Sequence, residues 1–190
     1  MKAILVSKHG GPEVLEWRDH EAGNPGPGEV RIRHEAVGLN YIDVYFRTGL
    51  YPVPNGLPMV PGNEGAGIVT ALGEGVSQFN VGDRVAYVGP LGAYAEERLV
   101  PAAVLVKVPD SVGLDVAAGM MLKGMTAEYL LCRTFAVKAG DTILFHAAAG
   151  GVGQIFTQWA KSIGCKLIGT VGSDNKIEIA KKNGCDFVIN

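Results

Sequence analysis

Residues 148–153 read Ala-Ala-Gly-Gly-Val-Gly and fit A-x-G-x-x-G, the dinucleotide fingerprint with alanine at the first glycine position. Each position has a physical task. Gly150 lets the backbone approach a pyrophosphate, and Gly153 lets a helix pack close to the strand before it. The free N–H groups of Gly151, Val152 and their neighbours at the helix N-terminus can then hold the anion. A lone match is weak, since a purely structural strand-to-helix turn has the same composition. Its setting supplies the specificity. "DTILFHA" (141–147) is an apolar run of strand length. In "GVGQIFTQWAKSIG", Val152, Ile155, Phe156, Trp159, Ala160 and Ile163 fall on one helical face, and Gly164 sits where a C-cap glycine belongs. "CKLIGTV" (165–171) is a second strand. The loop is therefore expected to bind a dinucleotide.

The tip of that second strand decides which dinucleotide. An NAD site carries an acid about 20 residues after the loop, on the ribose hydroxyl. Here the tip is Val171-Gly172-Ser173, and Asp174 comes later, as a cap (Asp174 or Asn175) for the helix in "DNKIEIAKKNG" that Gly184 stops. A neutral, small-residue tip leaves room for a 2′-phosphate. Lys176 lies in the first turn of that helix, where the dipole disfavours a cation by a few tenths of a kcal/mol, and an anionic ligand would reverse the sign. The plainer alternatives are a solvated surface lysine and, for Ser173, an ordinary turn residue. "DFVIN" begins a third strand. The β-α-β-α-β alternation implies a parallel sheet with right-handed crossovers. It supplies strands 3, 2 and 1 of the order 3-2-1-4-5-6, so a truncated doubly wound fold is expected.

Residues 1–110 must frame whatever this loop serves. "KAILVSK", "EVRIRHEAVGL", "GAGIVTALG", "DRVAYVG" and "AYAEERLV" read as short strands punctuated by Gly, Pro, Asp and Asn, which predicts a curled, largely antiparallel sheet or partial barrel. From 111 to 137 the chain is rich in Ala, Leu and Met and predicts one or two helices, with Ser111 near the N-cap and Gly113, Gly119 and Gly124 weakening continuity. Hydrophobic residues make up 47% and charged residues 19% of 190, enough for a sizeable core. A net charge of −2 without a run of Lys or Arg argues against nucleic-acid and anionic-membrane partners. No stretch approaches the ~20 apolar residues of a membrane span, and the N-terminal apolar run is too short for a signal peptide. Three unpaired cysteines suit a reducing cytoplasm, and the four histidines lack metal-ligand spacing.

"HGGPEVLEW", "GLNYIDVYFRTGLY", "PGNEGAGIV", "GDRVAY", "LKGMTAEYLL" and "HAAAGGVGQ" together resemble the zinc-free quinone oxidoreductases of the medium-chain dehydrogenase/reductase superfamily, along the whole chain. The resemblance implies a GroES-like antiparallel partial barrel over 1–125 and the first half of a Rossmann domain over 126–190. It implies NADPH as cofactor, a quinone or related electrophilic carbonyl as acceptor, and a homodimeric full-length protein. Asn40 resembles the family asparagine near the nicotinamide, and Tyr45 and Tyr51 the tyrosines that line the substrate cleft. Lys123 and Thr126 resemble residues that reach the cofactor. Gly150, Gly151, Val152 and Gly153 match the pyrophosphate loop, and Gly172, Ser173 and Lys176 the 2′-phosphate site. A turn-holding Asn40 and half-buried barrel tyrosines are the plainer readings of those positions. Zinc-dependent members carry Cys and "GHE" where this chain has Asn40-Tyr41 and Gly62-Asn63-Glu64, and three cysteines cannot build their structural zinc lobe. Without a Lewis acid a bound alcohol is hard to activate, which points to an easily reduced acceptor. An enal or enone double-bond reductase would use the same hydride donor. A chain with half a nucleotide sheet could also be a noncatalytic binding or structural protein.

Overall fold

The computed structural model describes residues 1–190, which divide into two compact units, Met1–Met121 and Leu122–Asn190. In the first, β1 (Lys2–Leu5) pairs antiparallel with β2 (Glu16–Asp19). The strands β3 (Glu29–Gly38), β4 (Glu64–Leu72), β5 (Arg84–Val88), β6 (Glu97–Pro101) and β7 (Leu105–Lys107) form an antiparallel sheet in the order β6-β3-β4-β5-β7. Alternation along β3 turns Val30 and Ile32 inward, onto Val69, Phe79, Val85, Tyr87 and Val100. The sheet curls where the β3–β4 register slips, between Arg31 and Ile32 and between His34 and Ala36. Gly67 sits beside the second slip. A Cβ there would land on the Arg33 carbonyl, so no side chain fits where the two backbones close up.

The strands read from the sequence of 1–110 omit β2 and β7, and the strands-only reading omits a helix. Tyr41–Thr48 is a helix, α1, although Tyr, Ile, Val and Phe favour strands. Its start is fixed locally: the Asp43 carboxylate accepts from the Asn40 backbone N–H at 2.9 Å, half of a capping box. Gly49, at φ 79°, ends it. The segment after 110 is one helix, α2 (Leu114–Tyr129), which runs through Gly119 and Gly124 and ends in a π-turn over Leu130–Thr134. It begins three positions after Ser111, so that serine is not its cap. Ala117 and Ala118 pack on Ala66, Ala86 and Val108, and this burial outweighs the glycines' poor helix propensity.

The second unit is a three-stranded parallel sheet in the order β10-β9-β8, from β8 (Thr142–Phe145), β9 (Lys166–Thr170) and β10 (Phe187–Ile189). This is the 3-2-1 order expected from the βαβ pattern. The crossovers are α3 (Gly151–Ile163), closed by Gly164 at φ 97°, and α4 (Ile177–Lys182). Phe156 stacks on Phe145 with ring centroids 4.0 Å apart, and Ala160, Leu167 and Ala180 fill the core around them. Two local expectations are corrected. Trp159 lies at the edge of the apolar stripe and is 38% exposed, because the buried face of α3 centres on Gly153, Phe156, Thr157 and Ala160. Ser173, rather than Asp174 or Asn175, holds the cap position of the 3₁₀ turn Asp174–Lys176 that leads into α4.

Two expected outcomes follow from this packing. In the first unit, His34 lies between β4 and β6, with Nδ1 2.6 Å from the Ala95 carbonyl and Nε2 2.8 Å from the Tyr87 hydroxyl. Burial pulls its pKa down from 6.5 to about 4. Below pH 6.5 the unfolded chain takes up a proton that the folded chain refuses until about pH 4. This group therefore lowers stability as the pH falls through that window, by at most about 1.4 kcal/mol per pH unit. Urea unfolding from pH 7 to pH 4 should show the slope, and His34→Gln should flatten it. In the second unit, a Cβ at Gly153 would collide with the carbonyl oxygens of Ala147 and Ala148. Gly153→Ala should cost about 1–3 kcal/mol, read as a lowered thermal midpoint.

Candidate functional site

The glycine loop follows β8 directly. Ala147 adopts φ 54°, a left-handed conformation uncommon for a residue with a side chain. The Gly150 N–H closes the turn on the Ala147 carbonyl at 2.8 Å, and the Ala148 N–H ties it to Thr170 at the end of β9, at 2.9 Å. Gly150 is the N-cap of α3 and offers no side-chain cap. The amides of Gly151, Val152 and Gly153 are thus first-turn donors that no carbonyl of the helix can reach. They sit at the positive end of the helix dipole. Gly153 carries the close approach that aims them, being packed against the two loop carbonyls. Gly151 has a second constraint: its missing Cβ would stand 3.0 Å from Cδ and Cε of Lys123, whose stem crosses the loop from α2. Thr126, one turn along α2, donates its hydroxyl to the Leu122 carbonyl at 2.7 Å and so offers a ligand only its lone pairs. The loop, Lys123 and Thr126 belong to one unit.

The β9 tip is open. Val171 is buried and its N–H bonds to the Ile189 carbonyl at 2.9 Å, which pins the strand end. Nothing lies within 4 Å of where a Gly172 side chain would start. Its φ is not left-handed, so neither packing nor backbone geometry in this chain requires glycine there. Ser173 is half-buried with its hydroxyl on Asn175, and Lys176 is exposed in the following turn. Asp174, the nearest acid, accepts from the Asn190 amide at 2.6 Å. The tip therefore offers space, one hydroxyl and one cation. The residues present fit a dinucleotide phosphate on the loop and a further phosphate at the tip.

Asn40, Tyr45 and Tyr51 lie in the first unit, on and around α1. Tyr45 and Tyr51 face each other with ring centroids 5.2 Å apart, Phe46 meets Tyr51 edge-on at 5.9 Å, and Tyr41 lies 6.3 Å from Tyr45. Asn40 is buried, and its Nδ2 donates to Oε1 of Glu64 at 2.8 Å. Asp43 Oδ2 accepts from the Asn40 N–H and from the Tyr94 hydroxyl, the latter at 2.8 Å. Burial and the Asp43 carboxylate push the Tyr94 phenol pKa up, so Tyr94 stays a donor. Sequence reasoning missed Asp43, Glu64 and Tyr94 as companions of Asn40. The Asn-x-x-Asp spacing could have flagged Asp43, while the Glu64 contact has no local signal. Asn63, at the "GHE" histidine position, donates Nδ2 to the Gly89 carbonyl at 2.9 Å. No cluster of three or more His, Cys, Asp or Glu is placed to hold a metal ion.

Comparison with known proteins agrees with both units. Residues 26–110 match the alcohol dehydrogenase GroES-like domain, and residues 151–190 match the zinc-binding dehydrogenase family. A quinone oxidoreductase of Pseudomonas aeruginosa is 54% identical over 96% of this chain and 56% of its own length. A 2-haloacrylate reductase of Burkholderia sp is 49% identical over 99% of this chain and 58% of its own. The crystal structure of Escherichia coli quinone oxidoreductase complexed with NADPH superposes with a TM-score of 0.97 at 45% identity, over all of this chain and 58% of that one. The chain thus spans a little over half the length of the relatives it matches. Its antiparallel unit is GroES-like and its parallel unit is part of a Rossmann fold. By both family models, these identities and this superposition, the chain is similar along nearly its whole length to the quinone oxidoreductases of the medium-chain dehydrogenase/reductase superfamily.

Proposed function

We propose that this chain carries the phosphate-binding loop and the acceptor-side residues of an NADPH-dependent quinone reductase that works without a metal ion. One observation carries the cofactor reading: a Gly153-packed helix N-terminus is followed by a β9 tip that is open at Gly172 and free of acid. The E. coli relative solved with NADPH supports it. In this reading Gly150, Gly151, Val152 and Gly153 hold the pyrophosphate, and Gly172, Ser173 and Lys176 receive the 2′-phosphate. Lys123, Thr126 and Asn40 serve the nicotinamide end. Residues 1–125 act as the GroES-like catalytic domain and 126–190 as the first half of the NADPH-binding domain.

Bound NADPH supplies a hydride, which with one solvent proton turns a quinone into a hydroquinone. The protein's own part is positioning. The hydroxyls of Tyr45 and Tyr51 are donors suited to a carbonyl oxygen as charge develops on it, and their rings with Phe46 present an apolar wall to a flat acceptor. Asn63 on the Gly89 carbonyl supports the metal-free reading. A 2-haloacrylate reductase among the relatives favours a second acceptor class, an activated C=C bond such as an enal or enone. We place the protein in the cytoplasm as a homodimer without nucleic-acid or membrane partners. The net charge of −2, the three free cysteines and the lack of any helix long and apolar enough to cross a membrane support that placement.

Two measurements test this function. The full-length protein should oxidise NADPH with 1,4-benzoquinone, followed at 340 nm, and should use NADH poorly. Turnover with NADH but not NADPH would sink the cofactor assignment, and tight NADPH binding without turnover of any quinone or enone would favour a noncatalytic role. Lys176→Ala and Gly172→Asp should each raise the KM for NADPH roughly 10-fold or more and leave that for NADH within about threefold. The first removes a charged partner of the 2′-phosphate, and the second puts a like charge in its space.

A further inference from the structure

The antiparallel unit buries polar side chains that its apolar core does not need. Glu64 is fully buried, and Asn40 and Asp43 nearly so. A carboxyl group inside a sheet gives up hydration that an apolar residue of the same size would not, so stability alone does not account for an acid at 64. The fold nonetheless makes room for it. Glu64 opens β4 directly opposite Gly38, the last residue of β3. A Cβ on Gly38 would fall on the Glu64 carboxyl group, so this glycine and this acid occupy one space together. From there Oε1 accepts from Nδ2 of Asn40. An amide has one donor end and one acceptor end, and a carboxylate oxygen only accepts. The contact therefore selects one of the two orientations of the Asn40 amide. The backbone of Asn40 is held separately, by the Asp43 carboxylate that Tyr94 anchors from the loop before β6.

We infer that Glu64 is a positioning residue: it sets and holds the amide orientation of Asn40, while Asp43 and Tyr94 hold the Asn40 backbone at the start of α1. This rests on the reading of Asn40 as a residue that orients cofactor or acceptor, and the two can fail separately. Gln at 64 fills the same space but can turn its NH2 end toward Asn40 and let that amide flip.

The test is a double-mutant cycle in the full-length protein with Asn40→Ala, Glu64→Gln and the double variant. It measures kcat and the KM for NADPH with 1,4-benzoquinone, together with the thermal midpoint. Glu64→Gln should lower kcat roughly 10-fold and keep the KM for NADPH within about threefold. In the Asn40→Ala background the same change should lower kcat no further, a non-additivity that a merely structural role would not produce. A kcat less than about threefold below the parent, or a loss of equal size in the Asn40→Ala background, overturns the inference. Parental kcat in Asn40→Ala overturns the reading of Asn40 instead. If Glu64→Gln does not fold, Glu64→Asp, which keeps the acceptor but withdraws it by one methylene, enters the same cycle with the same two outcomes.

Discussion

The parallel unit depends on how closely α3 approaches the end of β8. The carbonyls of Ala147 and Ala148 stand where a side chain on Gly153 would begin. That contact brings the first turn of α3 up to the strand end and directs its unbonded amides outward from the sheet. It also sets the neighbouring geometry. Ala147 takes a left-handed conformation to make the turn, and Ala148 bonds across to Thr170. Thr157, one turn further on, buries its hydroxyl on the Gly153 carbonyl at 2.8 Å. Gly169 on β9 meets Ala148 and Cys185 so closely that it too excludes a side chain. The loop is thus part of the core's packing, and the residues proposed to bind phosphate are the ones that constrain the fold.

The antiparallel unit answers a different constraint. Its main core is apolar and its strands alternate, but the end of the sheet where β3 and β4 begin to part holds Asn40, Asp43 and Glu64 under cover. Buried polar groups persist when each finds a partner, and here the partners come from three places in the chain: the start of α1, the first residue of β4 and the loop before β6. A second polar cluster, His34 with Tyr87 and Arg98, uses the same device: Arg98 spans Tyr87 and the carbonyls of Pro90 and Leu91. Such clusters add little net stability, because the desolvation of each polar group offsets the bonds it makes.

The β9 tip is simpler than either. It is marked by what is missing: no acid at the strand end and no side chain at Gly172. The nearest carboxylate, Asp174, is engaged with Asn190. A serine and a lysine remain beside open space, a setting that tolerates added negative charge.

The sequence by itself determined the glycine loop, the helix behind it, the strand order of the parallel unit and the acid-free tip. These features were legible because their causes are local: consecutive glycines, a 3.6-residue apolar period, and caps within a turn of the residues they close. Five strands of the antiparallel unit were legible for the same reason, whereas β2 and β7, four and three residues long, were too short to carry an alternation of their own. The local caps at Asn40 and Gly49 make 41–48 helical against its strand-forming composition, while tertiary structure decided that Trp159 stays at the edge of its stripe and that Ser173 takes the cap position. It alone decided that Asn40 meets Glu64, 24 residues away. That contact depends on the β3–β4 register, which two slips displace from any regular count, and on the space left by a glycine on the facing strand. Neither quantity is carried by the residues around Asn40, because cross-strand register arises only when the two strands pair.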